Sequence, residues 1–495
     1  MRYTVTTFGC QMNVHDSERM HEVLRSAGLD EVEGAREADV VVLNTCSVRE
    51  KAEQKLRSEV GRLAKLKRER PELLVVVAGC VAQQEGERLL RDHRGIDLVI
   101  GPDNIPELPR LIADLGAGAP PLARTVFDLE APQFLTALSV AEGAATAFVT
   151  TMKGCNERCS FCIVPTTRGP ERYRPSEEVV AEIAALVERG VAEVTLLGQT
   201  VNSYRDPSRA LGLAPSADPS DEDESEFAAL LRAVAERVPG LSRLRYTSPH
   251  PRHLVPSLIR AHAELALLPR HVHLPVQSGS DRMLKRMIRR YTREEYLRRI
   301  DRLRASVPGL TLSTDIIVGF PGETEADFAE TLSLIEEAGF VGVFGFKYSV
   351  RPFTPAKKLS DDVSEAEKSE RLARLFELSE SLLARHLAQL VGSTEEVLLE
   401  GASKRGVSAE GPAGTNAGAS YSGRTSRNEI VHVDDPACEG LVGQVVRVTV
   451  KRALKHSLVA ELDDAARLRG LEALAARPER PRGRRSLPVV AVGEA

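Results

Sequence analysis

The first part of the chain alternates short apolar runs with longer stretches in which apolar residues recur at helical spacing. Strands that alternate with helices predict a parallel sheet with helices on its faces. The predicted strands are Tyr3–Phe8, Val40–Leu43, Leu73–Ala78 and Leu98–Ile100, and the predicted helices are Asp16–Ala27, Val48–Lys67 and Gln83–Arg91. We therefore expect an open parallel α/β domain over residues 1–135, followed by a boundary rich in glycine, alanine and proline.

The same alternation resumes in a second domain, predicted over residues 141–375. Its predicted strands are Ala147–Met152, Glu193–Leu197, Arg243–Thr247, His271–Val276, Leu312–Val318 and Gly342–Tyr348. Its predicted helices are Ser176–Arg189, Phe227–Arg237, Asp281–Met287, Arg293–Ser306 and Glu325–Ala338. Six such units predict a partial (β/α)6 barrel rather than a full eight-unit barrel. Residues 205–225 are rich in proline, serine and acidic side chains, which predicts a mobile surface insertion.

The pattern changes again after a charged, helix-like stretch, Asp361–Leu390. Short apolar runs separated by turns rich in glycine and serine predict a small β-barrel over residues 385–462, a module often used to bind nucleic acids. The predicted strands are Glu395–Leu399, Glu429–Val433 and Gln444–Val450. Residues 463–495 form a basic tail that we expect to be disordered. The fold class is therefore α/β, with a β-barrel at the C-terminal end.

Composition indicates where the protein works, but it says little about the reaction. Hydrophobic residues make up 42% of the chain and charged residues 28%, which is ordinary for a globular protein. The chain has no apolar run of about 18 residues and no signal-like N-terminus, so we expect a cytoplasmic protein without a membrane partner. A net charge of −5 gives no global indication of nucleic acid binding, although the C-terminal region is locally basic.

The cysteines carry most of the chemical information. Seven is an odd number, and nothing suggests secretion, so a disulfide framework is a poor explanation. Cys155, Cys159 and Cys162 have C-x3-C-x2-C spacing just after the first predicted barrel strand. Three thiolates on one loop can hold three irons of a four-iron cluster and leave the fourth iron open. A zinc loop is the alternative, but zinc normally needs a fourth ligand in similar reach.

A second set of cysteines is scattered in sequence. Cys10, Cys46 and Cys80 each come just after the carboxyl end of a predicted parallel strand. These strand ends share one edge of an open α/β sheet, where ligands bind. Buried thiols within the core are the alternative, but core cysteines should lie inside strands. The pattern therefore predicts a second metal site.

The segment GCNERCSFC (residues 154–162) resembles the radical-SAM superfamily, in which the open iron binds S-adenosylmethionine (SAM). Phe161 matches the aromatic residue that usually precedes the last cysteine. Downstream, TDIIVGFPGET resembles the glycine-rich strand end that lines the SAM pocket in that superfamily. The resemblance implies pocket roles for Phe161, Gly319, Pro321, Gly322 and Glu323.

Further segments narrow this resemblance to one family. FGCQMNVHDSERM, LNTCSVREKAEQK, VVAGCVAQ, HLPVQSGSDRMLKRM and the TRG sequence after the cysteine loop resemble bacterial tRNA methylthiotransferases over residues 3–460. GCQMN is most similar to the branch that methylthiolates carbon 2 of N6-isopentenyladenosine beside the anticodon. The alternatives are a sister enzyme acting on N6-threonylcarbamoyladenosine or a ribosomal protein, and a non-catalytic iron–sulfur RNA-binding protein. No catalytic residue beyond the cluster ligands is assigned.

The family implies two 4Fe-4S clusters, with Cys10, Cys46 and Cys80 holding the second, together with SAM. It also implies tRNA, an electron donor and a sulfur or cluster-assembly donor as partners, and we expect a monomer. The C-terminal barrel resembles the TRAM domain, which binds tRNA. Its candidate contacts are Arg424, Lys451, Arg452 and Lys455. The sequence departs from the family at YSVRPFTPA, where Val350 and Phe353 replace the usual Pro and Gly, and Cys438 matches no ligand.

Overall fold

The computed structural model describes residues 1–47, 50–130, 132–136, 143–212, 224–403 and 420–476. Most of the predicted insertion at 205–225 and residues 477–495 of the predicted tail lie outside this range.

The N-terminal domain is a six-stranded parallel sheet with strand order β2-β1-β3-β4-β5-β6. Its strands are β1 (Arg2–Phe8), β2 (Asp30–Glu31), β3 (Val40–Thr45), β4 (Leu74–Gly79), β5 (Leu98–Ile100) and β6 (Leu122–Arg124). Its helices are α1 (Gln11–Ser26), α2 (Glu50–Glu69), α3 (Cys80–Glu85), α4 (Glu87–Asp92) and α5 (Leu108–Gly116). The predicted parallel α/β architecture is confirmed.

The central strands of this sheet are apolar on both faces because helices cover both. Every residue of β3 is buried, and one face packs with Met20 and Leu24 of α1, while the other packs with Leu56 and Leu63 of α2. A strand of this kind reads as a continuous run of branched apolar residues. The predicted helix Gln83–Arg91 is divided between α3 and α4 at Gly86, which has a φ of +51° that ends the first helix.

The central domain contains six parallel barrel strands in two three-stranded sheets, and a short antiparallel pair, β8 and β9, carries the cysteine loop between them. The strands are β7 (Thr146–Thr150), β8 (Met152–Lys153), β9 (Arg172–Tyr173), β10 (Glu193–Leu197), β11 (Arg243–Tyr246), β12 (His271–His273), β13 (Thr311–Val318) and β14 (Gly342–Lys347). The sheet orders are β11-β10-β7 and β12-β13-β14, which confirms the predicted six strands of the partial barrel.

The helices of this domain are α6 (Val164–Arg168), α7 (Ser176–Glu188), α8 (Glu226–Arg237), α9 (Pro256–Glu264), α10 (Asp281–Arg286), α11 (Arg293–Ser306), α12 (Glu325–Ala338) and α13 (Glu365–Gln389). They cover the outside of the strands, apart from α6, which packs against α3 of the N-terminal domain. One continuous hydrophobic core links the two sheets, running from Val149 of β7 through Leu244 of β11 to Leu312 of β13. The two sheets therefore behave as one folded unit.

The C-terminal domain is a closed five-stranded barrel with order β15-β16-β17-β19-β18. Its elements are β15 (Thr394–Ala402), β16 (Tyr421–Thr425), β17 (Ile430–Val433), β18 (Val445–Ala453), β19 (Leu458–Leu462) and α14 (Asp464–Ala475). The predicted barrel is confirmed, but two of its strands, β16 and β19, were not recognised in the sequence. The start of the predicted disordered tail is also wrong, because α14 is a helix whose first turn is capped by the Asp463 side chain.

Buried ion pairs join the N-terminal domain to the central domain. Arg19 of α1 lies 3.3 Å from Glu182 of α7, and both side chains are almost fully buried. Asp103, after β5, pairs with Lys153 and Arg172 of the β8–β9 hairpin. These contacts hold the strand ends of the first sheet against the cysteine loop of the barrel.

No helix in the described part of the chain combines the length and apolar character needed to cross a membrane.

Candidate active site

Cys10, Cys46 and Cys80 follow β1, β3 and β4, which are neighbouring strands of the parallel sheet. Cys10 directly precedes α1, and Cys80 is the first residue of α3. Cys46 directly follows β3, and its backbone N–H donates to the carbonyl of Phe8 at 2.9 Å. The three cysteines thus lie along one edge of the sheet, although they are separated by dozens of residues in sequence.

The thiols of this N-terminal set are in unequal electrostatic environments. A hydrogen bond from the Cys46 side chain lowers the pKa of Cys10. Burial raises the pKa of Cys80, and the nearby guanidinium of Arg168 opposes that rise. Thiolates are the form that binds metal, so a neighbouring cation favours ligation at this edge.

Arg168 is the cation that reaches this edge, and it comes from the other domain. It ends α6, six positions after Cys162, and is buried. Its Nε donates to Sγ of Cys80 at 3.3 Å, while Nη1 and Nη2 donate to the carboxylate of Asp16 at 3.3 and 2.5 Å. The loop that carries one set of cysteines is therefore hydrogen-bonded to the other set.

Cys155, Cys159 and Cys162 lie between β8 and α6, where the hairpin brings them to the carboxyl ends of the barrel strands. The side chain of Cys155 lies 2.9 Å from Oγ1 of Thr200, which follows β10. The backbone N–H of Val164 points at Sγ of Cys162 at 3.5 Å. Burial raises the pKa of Cys155 and of Cys162 to about 12. Such thiols lose their protons when a metal centre binds them.

Arg289 serves this second set as Arg168 serves the first. Its Nη1 donates to Sγ of Cys159 at 3.2 Å, its Nε to the hydroxyl of Tyr291 at 3.0 Å and its Nη2 to the carbonyl of Pro275 at 2.7 Å. The residue is buried, and no carboxylate accepts a hydrogen bond from it among the described residues. Because a buried guanidinium normally has an anionic partner, the cysteine site is suited to a group with net negative charge.

The predicted SAM-pocket residues lie around the end of β13 and contact the cysteine loop. Phe161 packs against a small apolar cluster that includes Phe320 and Tyr348. Gly319 and Gly322 have φ values of +69° and +79°, a region that favours glycine. The structure thus brings the glycine-rich turn and the aromatic residue of the loop together.

The Glu323 side chain forms its hydrogen bonds within the protein. Its buried carboxylate accepts a hydrogen bond from the backbone N–H of Gly319 at 2.6 Å and another from Nη1 of Arg371 at 3.0 Å. The carbonyl of Pro321 accepts from Nε of Arg286 at 3.0 Å. These bonds fix the shape of the turn, so Glu323 and Pro321 act on its backbone.

Sequence reasoning missed a buried group beside the cysteine loop. Nε2 of His253 lies 3.0 Å from Oε1 of Glu157, and His250 completes a group whose ligand-type atoms lie within 4.8 Å of one another. Nδ1 of His250 accepts the backbone N–H of Arg252 at 3.2 Å, which favours the neutral ring with its proton on Nε2. We interpret the group as a support for the loop, with the SPHPRH sequence as its only signal.

The candidate RNA contacts are spread over two surfaces. Lys451 and Lys455 are exposed and form ion pairs with Glu461 and Glu380 at 3.0 and 2.9 Å, and Arg452 beside them is also exposed. Arg424 instead lies where the barrel meets the central domain, since its carbonyl accepts a hydrogen bond from Nη1 of Arg243 at 3.0 Å. The structure therefore groups three of the four side chains and separates Arg424 from them.

Two family models match the two cysteine-bearing domains. The uncharacterized protein family UPF0004 matches residues 2–101, and the radical SAM superfamily matches residues 149–335. Among solved structures, the chain is similar to the radical S-adenosylmethionine methyltransferase TsrM from Kitasatospora setae, solved with cobalamin and a 4Fe-4S cluster bound. The TM-score is 0.51 with 15% identity, covering 83% of this chain and 81% of that one. This likeness shows a shared fold.

Curated relatives extend the match to the whole chain. The chain is 68% identical to the tRNA-2-methylthio-N(6)-dimethylallyladenosine synthase of Sorangium cellulosum, over 99% of both proteins. It is 45% identical to the protein of the same name from Geobacter metallireducens, over 92% of this chain and 97% of the relative. The resemblance drawn from the cysteine motifs is confirmed. The chain belongs to the family of tRNA-2-methylthio-N(6)-dimethylallyladenosine synthases, which are radical SAM tRNA methylthiotransferases.

Proposed function

We propose that this protein inserts sulfur and transfers a methyl group at carbon 2 of N6-isopentenyladenosine beside the anticodon of tRNA. The observation that carries the proposal is the meeting of two cysteine sets at one domain interface, each with a buried arginine bonded to a sulfur. The names of its relatives support the same substrate and reaction.

Radical chemistry suits this substrate because the C–H bond at carbon 2 of adenine is not acidic. Ordinary acid–base catalysis therefore has no proton that it can remove. A reduced 4Fe-4S cluster with SAM supplies a 5′-deoxyadenosyl radical when both are bound. Membership of the radical SAM superfamily implies this cluster and SAM for the protein.

The residues for the first cluster are Cys155, Cys159 and Cys162. They fit the group chemically because three thiols are presented from one loop and a buried guanidinium without a carboxylate partner faces the middle one. A cluster held by three thiolates carries net negative charge and would act as the counter-ion of Arg289. Thr200 and the N–H of Val164 provide further hydrogen bonds to the sulfurs.

The residues for the second cluster are Cys10, Cys46 and Cys80. Their placement along one sheet edge, with Arg168 bonded to Cys80, supports a site for an anionic cluster there. This site faces the barrel mouth through α6, where sulfur could be delivered to a bound base. A sulfur or cluster-assembly donor and an electron donor would complete the system.

SAM is expected to lie against the turn after β13. Gly319 and Gly322 give the turn its left-handed backbone, and Glu323 and Pro321 hold it in place through their hydrogen bonds. Phe161 would pack the cysteine loop beside it. In this assignment Glu323 positions the turn without touching SAM.

The C-terminal barrel is proposed to hold tRNA. Lys451, Arg452 and Lys455 give it an exposed basic surface, and phosphate oxygens could displace the carboxylates that now pair with the two lysines. Arg424 lies apart from this surface, where it contacts Glu400 and Asn428, and is proposed as a separate tRNA contact.

Nucleoside mass spectrometry of tRNA from a strain that lacks this gene tests the proposal. Complementation with the wild-type protein should restore 2-methylthio-N6-isopentenyladenosine. The Cys155→Ala, Cys159→Ala, Cys162→Ala variant should leave only N6-isopentenyladenosine. Cys438→Ala is the matched control, because this seventh cysteine is buried in the C-terminal barrel core. Restoration by the triple variant would contradict the proposal.

A further inference from the structure

The two buried arginines of the active site differ in their counter-charges. Arg289 contacts the sulfur of Cys159, a hydroxyl and a carbonyl. Arg168 contacts the sulfur of Cys80 and, through both terminal nitrogens, the carboxylate of Asp16. The first guanidinium therefore brings a full positive charge to its cysteine set, whereas the second brings a charge that is largely balanced.

This difference has a consequence for any iron–sulfur cluster held by these cysteines. Reduction adds negative charge to a cluster, so N–H···S hydrogen bonds and nearby positive charges raise its reduction potential. A nearby carboxylate lowers it for the same reason. Burial strengthens both effects, and Arg168 and Asp16 are each at least nine-tenths buried.

We infer that the Arg168–Asp16 pair positions Cys80 and sets the reduction potential of the cluster proposed at Cys10, Cys46 and Cys80. Arg168 raises that potential through its N–H···S hydrogen bond and its charge, and Asp16 limits the rise. The pair thereby makes the two clusters unequal as electron acceptors. This inference rests on the proposed function, because it requires a cluster at the N-terminal cysteines.

The three groups also come from three separate places in the chain, which makes the arrangement specific. Asp16 lies on α1, Cys80 begins α3, and Arg168 ends α6 of the central domain. The carbonyl of Arg168 accepts a hydrogen bond from Nη2 of Arg172 at 2.6 Å, which fixes the guanidinium's own backbone. Docking of the two domains therefore creates the N–H···S contact.

Redox titration of the reconstituted protein, followed by electron paramagnetic resonance, tests the inference without relying on turnover. Dithionite supplies the electrons, and the variants are Arg168→Met, Asp16→Asn and Arg168→Lys. Arg168→Met should lower the potential of the N-terminal cluster, and Asp16→Asn should raise it. At a fixed solution potential, each substitution should change the ratio of reduced to oxidised cluster at least tenfold. For a one-electron reduction this is a shift of about 59 mV in the reduction potential. Arg168→Lys keeps the charge and should shift the potential least.

Two controls separate charge from loosening of the interface. Arg19→Lys loosens the neighbouring ion pair with Glu182 but keeps the buried charge, so the potential should stay nearly unchanged. The radical cluster should keep its potential in every variant. Shifts of the same sign in Arg168→Met and Asp16→Asn, or no shift, would overturn the inference. If Arg168→Met does not fold, Arg168→Gln removes the same charge with a polar side chain and takes its place in the sign test against Asp16→Asn.

A different result would contradict the assignment of the second cluster in the proposed function. If the wild-type protein showed only one cluster signal, and the Cys10→Ala, Cys46→Ala, Cys80→Ala variant kept its full iron content, the N-terminal cysteines would hold no cluster. That outcome overturns the second-cluster assignment and the inference together. Two signals without opposite shifts overturn only the inference.

Discussion

Nη1 of Arg289 lies 3.2 Å from Sγ of Cys159, with both side chains buried. The guanidinium also donates to Tyr291 and Pro275, so it is fixed at three points. Its charge has no carboxylate partner in the described chain. Arg289 can therefore stabilise the negative charge of a metal centre that Cys159 ligates.

Arg289→Met should therefore weaken the radical cluster. Removing one partner of a buried charged contact costs about 3–5 kcal/mol, so we expect lower iron occupancy and 5′-deoxyadenosine formation reduced at least tenfold. Iron analysis and product quantification after anaerobic reconstitution provide the measurement. Arg290→Met is the matched control, since the neighbouring Arg290 is exposed. Equal losses in both variants would show that Arg289 has no special role.

The two cysteine sets should be separable by their products. Wild-type protein should hold about eight irons, and alanine at Cys10, Cys46 and Cys80 should remove about half of them. That variant should still cleave SAM reductively but should form no methylthio product. Alanine at Cys155, Cys159 and Cys162 should abolish SAM cleavage.

Cys438→Ala controls for loss of a buried cysteine, and it should keep both the iron content and the reaction. Normal methylthio product from the N-terminal triple variant would reduce Cys10, Cys46 and Cys80 to structural residues.

Glu323 should make stability depend on pH. Burial raises the pKa of Glu323 to about 7, although the Gly319 N–H and Arg371 oppose the rise. Because the folded pKa is above the unfolded value, the carboxyl contributes its stability below about pH 4.5, and that contribution is lost as the pH rises through 7. Denaturant unfolding from pH 4 to 9 should show this loss in wild type and a flatter profile in Glu323→Gln. Identical profiles would contradict the assignment.

The basic surface of the C-terminal barrel should govern tRNA affinity. Alanine at Lys451, Arg452 and Lys455 should weaken binding and reduce the slope of log affinity against log salt by roughly 2–3, because fewer counterions are released. Gel-shift titrations at several salt concentrations measure this slope. Alanine at Arg298 and Arg302, exposed on α11, is the control. Unchanged slopes for the barrel variant would remove this surface from the tRNA site.

Sequence periodicity predicted the parts of the fold that local patterns specify. Cys10, Cys46 and Cys80 could be placed at one sheet edge because each follows a predicted strand, and the carboxyl ends of parallel strands share one edge. β16 was missed because its residues Tyr421–Thr425 are mostly polar or glycine and gain their strand conformation from barrel closure. The helix Asp464–Ala475 was missed because arginines within it resembled those of the tail.

The site could be predicted only as far as its cysteines. The bond from Arg168 to Cys80 depends on how two domains dock, which no spacing in the sequence encodes. Phe353 illustrates the same limit, because its ring is exposed and its backbone has a φ of +65°, a region that favours glycine and that the sequence did not predict for a phenylalanine.

The most direct test of the account is a reaction with purified components. Reconstituted protein, SAM, a reductant and a sulfur source would be incubated with tRNA that carries N6-isopentenyladenosine, and the digested nucleosides analysed by mass spectrometry. The account predicts 2-methylthio-N6-isopentenyladenosine with matching formation of 5′-deoxyadenosine, and no thiolation of tRNA that lacks the isopentenyl group. Methionine and 5′-deoxyadenosine without any thiolated nucleoside, or thiolation of N6-threonylcarbamoyladenosine instead, would contradict it.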